Sequence, residues 1–439
     1  MLGNAERASG FDPDRLDGAV RTVVKRFDRR VVVRELGFVD RRDRAFTTDE
    51  TLEFDVHDLR GATRSPYIWL DPLGSTPNGF MDGRRWTDMF DKSTWIKLPR
   101  NVVVGHSVIE ELGKAVAELH LHGAPLVVTS PTPNELAGDR LRAQLDDPTT
   151  VTVDTAGFDA VERVVTAARE VDAGYLIALG GGKPIDIAKM AANEIDRGFV
   201  SVPTAASHDG IVSGRSSIPE GDSRHSIAAD PPLAVVADTE IIAQAPWELT
   251  TAGCADIISN YTAVQDWRLA KRLKNAEYSE YAGALSEMTA EMLVDNADSI
   301  RPNLEESAWI VVKALVSSGV AMSIAGSSRP ASGAEHLFSH QLDRIAPNKA
   351  LHGHQVGVGS ILTEYLHSGN TGRWRAIRQA LDSIDAPTTA AELGVSDDEV
   401  LEALTTAHEI RDRYTILGNG VDLDAAVETA TVTGVIERD

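Results

Sequence analysis

Between residues 98 and 240 short apolar runs alternate with helical stretches, and this alternation restricts the fold more than any other feature of the chain. NVVVG, APLVVTS, TTVTVDT, AGYLIALG, FVSVPT and PLAVVADT are rich in Val, Ile, Leu and Thr and read as strands. VIEELGKAVAELHLHG, NELAGDRLRAQL, AVERVVTAAREV and PIDIAKMAANEI, which separate four of these runs from the strand that follows, carry apolar residues at helical spacing. Strands joined through helices return parallel by right-handed crossovers, so the pattern predicts a parallel sheet with helices on both faces. After about residue 240 the character changes. SEYAGALSEMTAEMLVDNADSI and SAWIVVKALVSSGVAMSIAG are long amphipathic patterns of a mainly helical region. The expected plan is an α/β Rossmann-like domain over 89–240 and an all-helical domain over 241–439.

Residues 1–88 differ from the rest. They hold 15 basic and 16 acidic residues, net −1, which leaves −22 of the total −23 for residues 89–439. AVRTVV and RVVVREL in this segment are helix and strand candidates, and SPYIWLDPLGSTPNGFMDGRRWTDM is linker-like in its Pro, Gly and Asp. The segment reads as an appended domain or, preferably, as a poorly ordered leader upstream of a natural start at Met89.

Charge narrows the function. Lys and Arg total 43 against 66 Asp and Glu, a balance that repels phosphate backbones and argues against nucleic acid as a partner. Only 10 of the basic residues are Lys and 33 are Arg. Acid excess with scarce lysine points to a high-salt cytoplasm, where screening weakens self-repulsion. No run of about 18 apolar residues suggests a membrane span, and no secretory signal stands at the N-terminus. The lone Cys254 excludes an intramolecular disulfide and a Cys-rich metal site. A cytoplasmic location is expected.

Four stretches could carry chemistry. In GYLIALGGGKPIDIAK a strand ends in Gly180, Gly181 and Gly182 and a helix opens near Pro184. Such a turn lets a pyrophosphate approach the backbone and the helix N-terminus, though it also fits a plain tight turn. VPTAASHDGIVSGRSS sets small and hydroxyl residues around His208 and Asp209 after a strand, where open α/β sheets bind ligands; a surface loop is the alternative. TAGCADIISN holds Asp256 among apolar and small residues, either as a capped, buried carboxylate or as one leg of a metal site. GAEHLFSHQLDRIAPNKALHGHQVG contains His336 and His340 one helical turn apart, then His352 and His354. Two imidazoles and a carboxylate form a common metal set with an open position, whereas a solvated histidine-rich helix face is the bland reading. A zincin arrangement is absent, because Glu335 precedes the first histidine.

Taken in order, GGGKPIDIAK, PTAASHDG, PLAVVADTEII, AGCADIISN, RPASGAEHLFSH and LHGHQVG resemble the archaeal, in particular haloarchaeal, sn-glycerol-1-phosphate dehydrogenases. These belong to the superfamily of glycerol dehydrogenase, iron-dependent alcohol dehydrogenase and dehydroquinate synthase, and the resemblance spans roughly 95–435. It implies a zinc-dependent, NAD(H)- or NADP(H)-using oxidoreductase that interconverts dihydroxyacetone phosphate and sn-glycerol 1-phosphate for archaeal lipid backbones. It places metal and active site in the cleft between the two domains. By position it implies Asp256, His336 and His352 as Zn²⁺ ligands, and Asp209, Asp256 and His340 as substrate-binding and catalytic residues. Dinucleotide contacts are implied for Gly180, Gly181, Gly182, Lys183, Pro184, Ile185, Asp186, Thr204, Ala205, Ala206, Ser207 and Ser213. His354 departs from the pattern, standing where many relatives carry Glu, and is expected not to be a ligand. A homo-oligomer is expected. Rival readings are a glycerol dehydrogenase for unphosphorylated polyols, a dehydroquinate-synthase-like lyase and a catalytically silent nucleotide binder.

Overall fold

The computed structural model describes residues 95–220 and 223–437, together with short strands between residues 22 and 55. Those strands belong to a separate unit, residues 1–92. Thr22–Phe27 pairs antiparallel with Arg30–Glu35, which also pairs with Thr51–Asp55. The described part of the patch expected as a helix there, Thr22–Val24, is therefore in a strand, as its Thr and two adjacent Val residues favour. The leader-like remainder of 1–88 lies outside the described residues.

In the unit of residues 93–439, six parallel strands form one sheet. They are β1 (Asn101–Gly105), β2 (Ala124–Thr129), β3 (Thr149–Thr152), β4 (Ala173–Gly180), β5 (Phe199–Pro203) and, last in the chain, β8 (Ala234–Asp238). Their order across the sheet is β1-β8-β5-β4-β2-β3. Helices α1 (Leu112–Glu118), α2 (Pro131–Arg142), α3 (Phe158–Glu170) and α4 (Gly182–Glu194) cover the faces. Strand alternation divides the core between them: Val127, Ile177 and Val200 join Leu112 and Leu141. Leu126, Val128, Leu176 and Ala178 join Val161, Val164 and Ile185. β4 and β5 run in register to their ends, Pro203 opposite Gly180, so the two segments that follow emerge side by side. That adjacency positions the site.

Overlapping the end of the small-residue stretch and running beyond it lies a hairpin that escaped the sequence reading. β6 (Arg215–Glu220) and β7 (Ser223–Ala228) pair antiparallel across two residues, Gly221 and Asp222. A Gly-Asp step between alternating runs was the available signal. Buried Lys189 on α4 fastens the hairpin, donating to the carbonyls of Gly210 (2.7 Å) and Arg215 (2.5 Å) and to Asp186 (3.2 Å). Asp186 in turn accepts the Ser217 N–H at 3.1 Å.

After Asp238 every described element through Val432 is helical. The helices are α5 (Thr239–Ala243), α6 (Trp247–Ile258), α7 (Asn260–Lys274), α8 (Glu280–Asn296), α9 (Glu305–Ala325), α10 (Ala334–Ile345) and α11 (His352–Ser368). α12 (Trp374–Ser383), α13 (Ala390–Leu393), α14 (Asp397–Thr406) and α15 (Leu423–Val432) complete the set. α9 is long and apolar enough to cross a membrane by length and composition alone. Val311, Val312, Leu315, Ala321 and Met322 are buried in the fold, which makes it a core helix. α6 and α11 touch closely: a Cβ on Gly353 would stand 2.0 Å from the Ala252 carbonyl oxygen. Only glycine permits this approach, and it brings the start of α11 to the middle of α6.

Candidate active site

A cavity of about 350 Å³ is lined from both halves of this unit. Gly182 and Asp186 of α4, Ser207 and Asp209 after β5, and Asp256, His336, His340 and His352 of the helical region all contribute to its wall.

Asp256, on α6, is buried, and its Oδ2 accepts the backbone N–H of Asp209 at 2.9 Å. His336 lies 3.5 Å from its other oxygen through Nε2. The His336 Nδ1 is engaged by Glu335 at 3.0 Å, a carboxylate that also accepts the Gly333 N–H and the Thr262 hydroxyl. The Nδ1 of His352, the first residue of α11, meets the Ser339 hydroxyl at 2.9 Å. Ser339 donates to Gln355 at 2.7 Å, and Gln355 to Asp343. Because that hydroxyl spends its proton on Gln355, the His352 Nδ1 is the donor, and its Nε2 keeps a lone pair. One ligand atom each from Asp256, His336 and His352 lie within 4.8 Å of one another. Two oriented imidazoles and a carboxylate are a donor set that fits a divalent ion with an open position.

The charges agree with that shape. Burial pushes Asp256 up, but hydrogen bonding and attraction to His336 outweigh it and hold the carboxyl below the usual range. Burial likewise opposes the His336 cation, yet Asp256 and Glu335 raise it to about 9. Asp209 stands apart: burial, then the neighbouring Asp256 charge, lift it to about 7, against the Ser318 hydroxyl it accepts at 2.9 Å. His340 stacks on His352 with ring centroids 5.6 Å apart and lines the cavity. His354 is buried, pushed down to about 4 by burial, and its Nε2 meets Thr251 at 2.8 Å. The Thr251 hydroxyl already donates to Glu248, so His354 is a neutral donor outside the ligand cluster.

The glycine turn closes the other side. Gly180 has φ +146, and a Cβ there would stand 2.4 Å from Cγ of Pro184, so only glycine turns β4 into α4. Gly181 has open space where a Cβ would be, leaving the helix N-terminus approachable. Thr204 donates its N–H to the Gly180 carbonyl at 3.0 Å, which ties the two segments together. Ser213 lines the cavity, and its hydroxyl is buried without a hydrogen-bond partner among the described residues. Pro184, Ile185, Ala205 and Ala206 are buried, and Ile185 belongs to the core, so these can offer a ligand little beyond backbone. Lys183 reaches the Asp154 carbonyl at 2.7 Å. Asp186 serves the hairpin, as described above. Glu335, Ser339 and Arg411 also shape the site and escaped the sequence reading; Glu335 and Ser339 lie inside the histidine stretch and were passed over for their neighbours.

A parallel sheet meeting a helical region over a carboxylate–imidazole cluster defines a class, the two-domain dehydrogenases of the iron-containing alcohol dehydrogenase type. Residues 103–246 match the family described as iron-containing alcohol dehydrogenase. A probable glycerol dehydrogenase from Sinorhizobium meliloti 1021 shares the fold with a TM-score of 0.66 at 21% identity, covering 79% of this chain and 100% of that one. Much nearer in sequence is a glycerol-1-phosphate dehydrogenase [NAD(P)+] from Halorubrum lacusprofundi, 76% identical over 80% of this chain and 100% of the relative. The enzyme of that name from Natronomonas pharaonis is 72% identical over 79% of this chain and 100% of the relative. The chain belongs to the glycerol-1-phosphate dehydrogenase family, a family of NAD(P)-using oxidoreductases with haloarchaeal members.

Proposed function

We propose that this chain reduces dihydroxyacetone phosphate at C2 to sn-glycerol 1-phosphate, reversibly, with NADH or NADPH and with Zn²⁺ held by Asp256, His336 and His352. The observation that carries this reading is the three ligand atoms within 4.8 Å in a cavity that also contains the start of α4. When bound, the metal supplies a Lewis acid for the carbonyl oxygen and the dinucleotide supplies the hydride. The chain's own groups do the rest. Gly180–Asp186 and Thr204–Ser207, with Ser213, cradle the dinucleotide against the helix N-terminus. Glu335 and Ser339 orient the two imidazoles. Asp209 and His340 hold the substrate's hydroxyl and pass the proton that the oxygen on C2 must gain. The domain limits 89–240 and 241–439, a cytoplasmic setting and a homo-oligomer complete the proposal. Tyr281, Met288 and Met292 on α8 are exposed in the single chain and give an oligomer apolar surface to bury.

The test is oxidation of NADH or NADPH by purified protein with dihydroxyacetone phosphate, before and after chelation and with zinc restored. Substrate-dependent oxidation that disappears with chelator and returns with zinc is the expected result. Oxidation that runs equally well with unphosphorylated dihydroxyacetone favours a glycerol dehydrogenase instead, and none with either substrate sinks the reading.

A further inference from the structure

The cavity wall carries a cationic corner that neither the metal nor the dinucleotide explains. Arg411, in the segment after α14, lines the cavity and donates through one Nη to the Ser332 hydroxyl at 2.6 Å. Its Nε is enclosed without an acceptor among the described residues. Arg413 donates to the Ser332 carbonyl and, at 2.9 Å, to the Ser328 hydroxyl. Arg215, at the start of the hairpin, lines the same cavity, and Arg329 adjoins Ser328. Among the described residues no carboxylate forms an ion pair with Arg411 or Arg413. Glu335 acts on them only from a distance, and its oxygens already serve Gly333, Thr262 and His336. Burial, with repulsion from the neighbouring arginines and against the pull of Glu335, pushes Arg411 down to about 10 and Arg413 to about 9. Cations gathered without an ion-paired carboxylate, in a chain of net charge −23, are stabilised when an anion joins them. Guanidinium forks and serine hydroxyls suit the oxygens of a phosphate.

We propose that Arg411, with Arg215 and the Ser332 hydroxyl, binds the phosphate of the three-carbon substrate and so separates phosphorylated from free triose. This rests on the substrate reading above. Arg411 stands on the cavity wall, and Ser332, accepting from Arg411, retains its own proton for a ligand oxygen. Arg413 is a positioning residue that fixes Ser328 and Ser332.

The experiment compares kcat/KM for dihydroxyacetone phosphate and for dihydroxyacetone, with NADH, in the full chain and in Arg411→Gln and Arg215→Gln. The preference for the phosphorylated substrate should fall about 100-fold in Arg411→Gln and about 10-fold in Arg215→Gln. NADH and NADPH should keep their wild-type ratio. For Arg413, KM for dihydroxyacetone phosphate should rise in Arg413→Gln while kcat changes less, and Arg413→Lys should recover part of the loss. An unchanged substrate preference in Arg411→Gln overturns the proposal. So does a loss confined to NADPH, which would assign the corner to the cofactor's 2′-phosphate. Arg215→Gln, on the hairpin, carries the same comparison if Arg411→Gln does not fold. If the wild type ignores dihydroxyacetone phosphate, the functional reading fails separately, and calorimetric titration with inorganic phosphate decides the subsite. Phosphate heat present in the wild type and lost in Arg411→Gln upholds it; equal heats, or none in the wild type, overturn it.

Discussion

On the sheet side of the cavity, Gly182 and Ser207 stand on the wall in the turns that leave β4 and β5; on the helical side, Asp256, His336, His352 and Arg411 present side chains from four separate segments. The first wall comes from two turns close together in sequence, between residues 180 and 207, and depends on backbone conformation. The second is assembled across more than 150 residues and depends on functional groups held by neighbours such as Glu335 and Ser339. A backbone wall tolerates side-chain change where the conformation survives, whereas a side-chain wall fails one residue at a time.

The largest break should therefore come from the helical side. His336→Ala or His352→Ala should lose bound metal and about 1000-fold in turnover, read by metal analysis and kinetics. His340→Ala should keep the metal and still lose activity; metal retained in both ligand variants would mean the wall is misassigned. On the sheet side, Gly180→Ala forces a side chain into φ +146 and against Pro184. We expect it to cost about 2 kcal/mol in denaturant unfolding and to raise KM for NAD(P)H, with metal content unchanged. Glu335→Gln removes the charge that orients His336 and should weaken metal about 10-fold in chelator competition. The smallest effect lies remote from both walls. Ser396 and Glu399 cap α14 reciprocally, and Ser396→Ala should cost about 1 kcal/mol with KM values unaltered. Hydrogen bonds from the Ser396 backbone and hydroxyl hold Glu399 below the usual glutamate range. A carboxyl lowered in the folded state stabilises above its unfolded value and ceases to do so as pH falls through its folded value. The thermal deficit of Glu399→Gln should accordingly be present at neutral pH and fade in acid.

The same contrast explains what could be read from the chain. Six strands and the glycine turn were legible because sheet wall and sequence order coincide: Val and Ile mark the strands, and Gly180–Gly182 marks where one ends. Asp256 and the histidines were candidates by residue type, but the set of Asp256, His336 and His352 came from the family resemblance, because their convergence depends on α6 packing against α11, which no local pattern encodes. Arg411 was invisible. An arginine near the C-terminal end looks like solvated surface, and only burial beside Ser332, without a carboxylate, distinguishes it. The β6–β7 hairpin was missed because the residues that fasten it, Lys189 and Asp186, sit on another element.

Asp256 is anchored by the N–H of residue 209, a peptide group and not a side chain. Mutation can erase any side chain in this protein, yet it can delete that particular donor only by writing proline at 209. The hydrogen bond that anchors Asp256 therefore does not depend on which side chain stands at 209, although that side chain's charge is still felt by the carboxylate beside it.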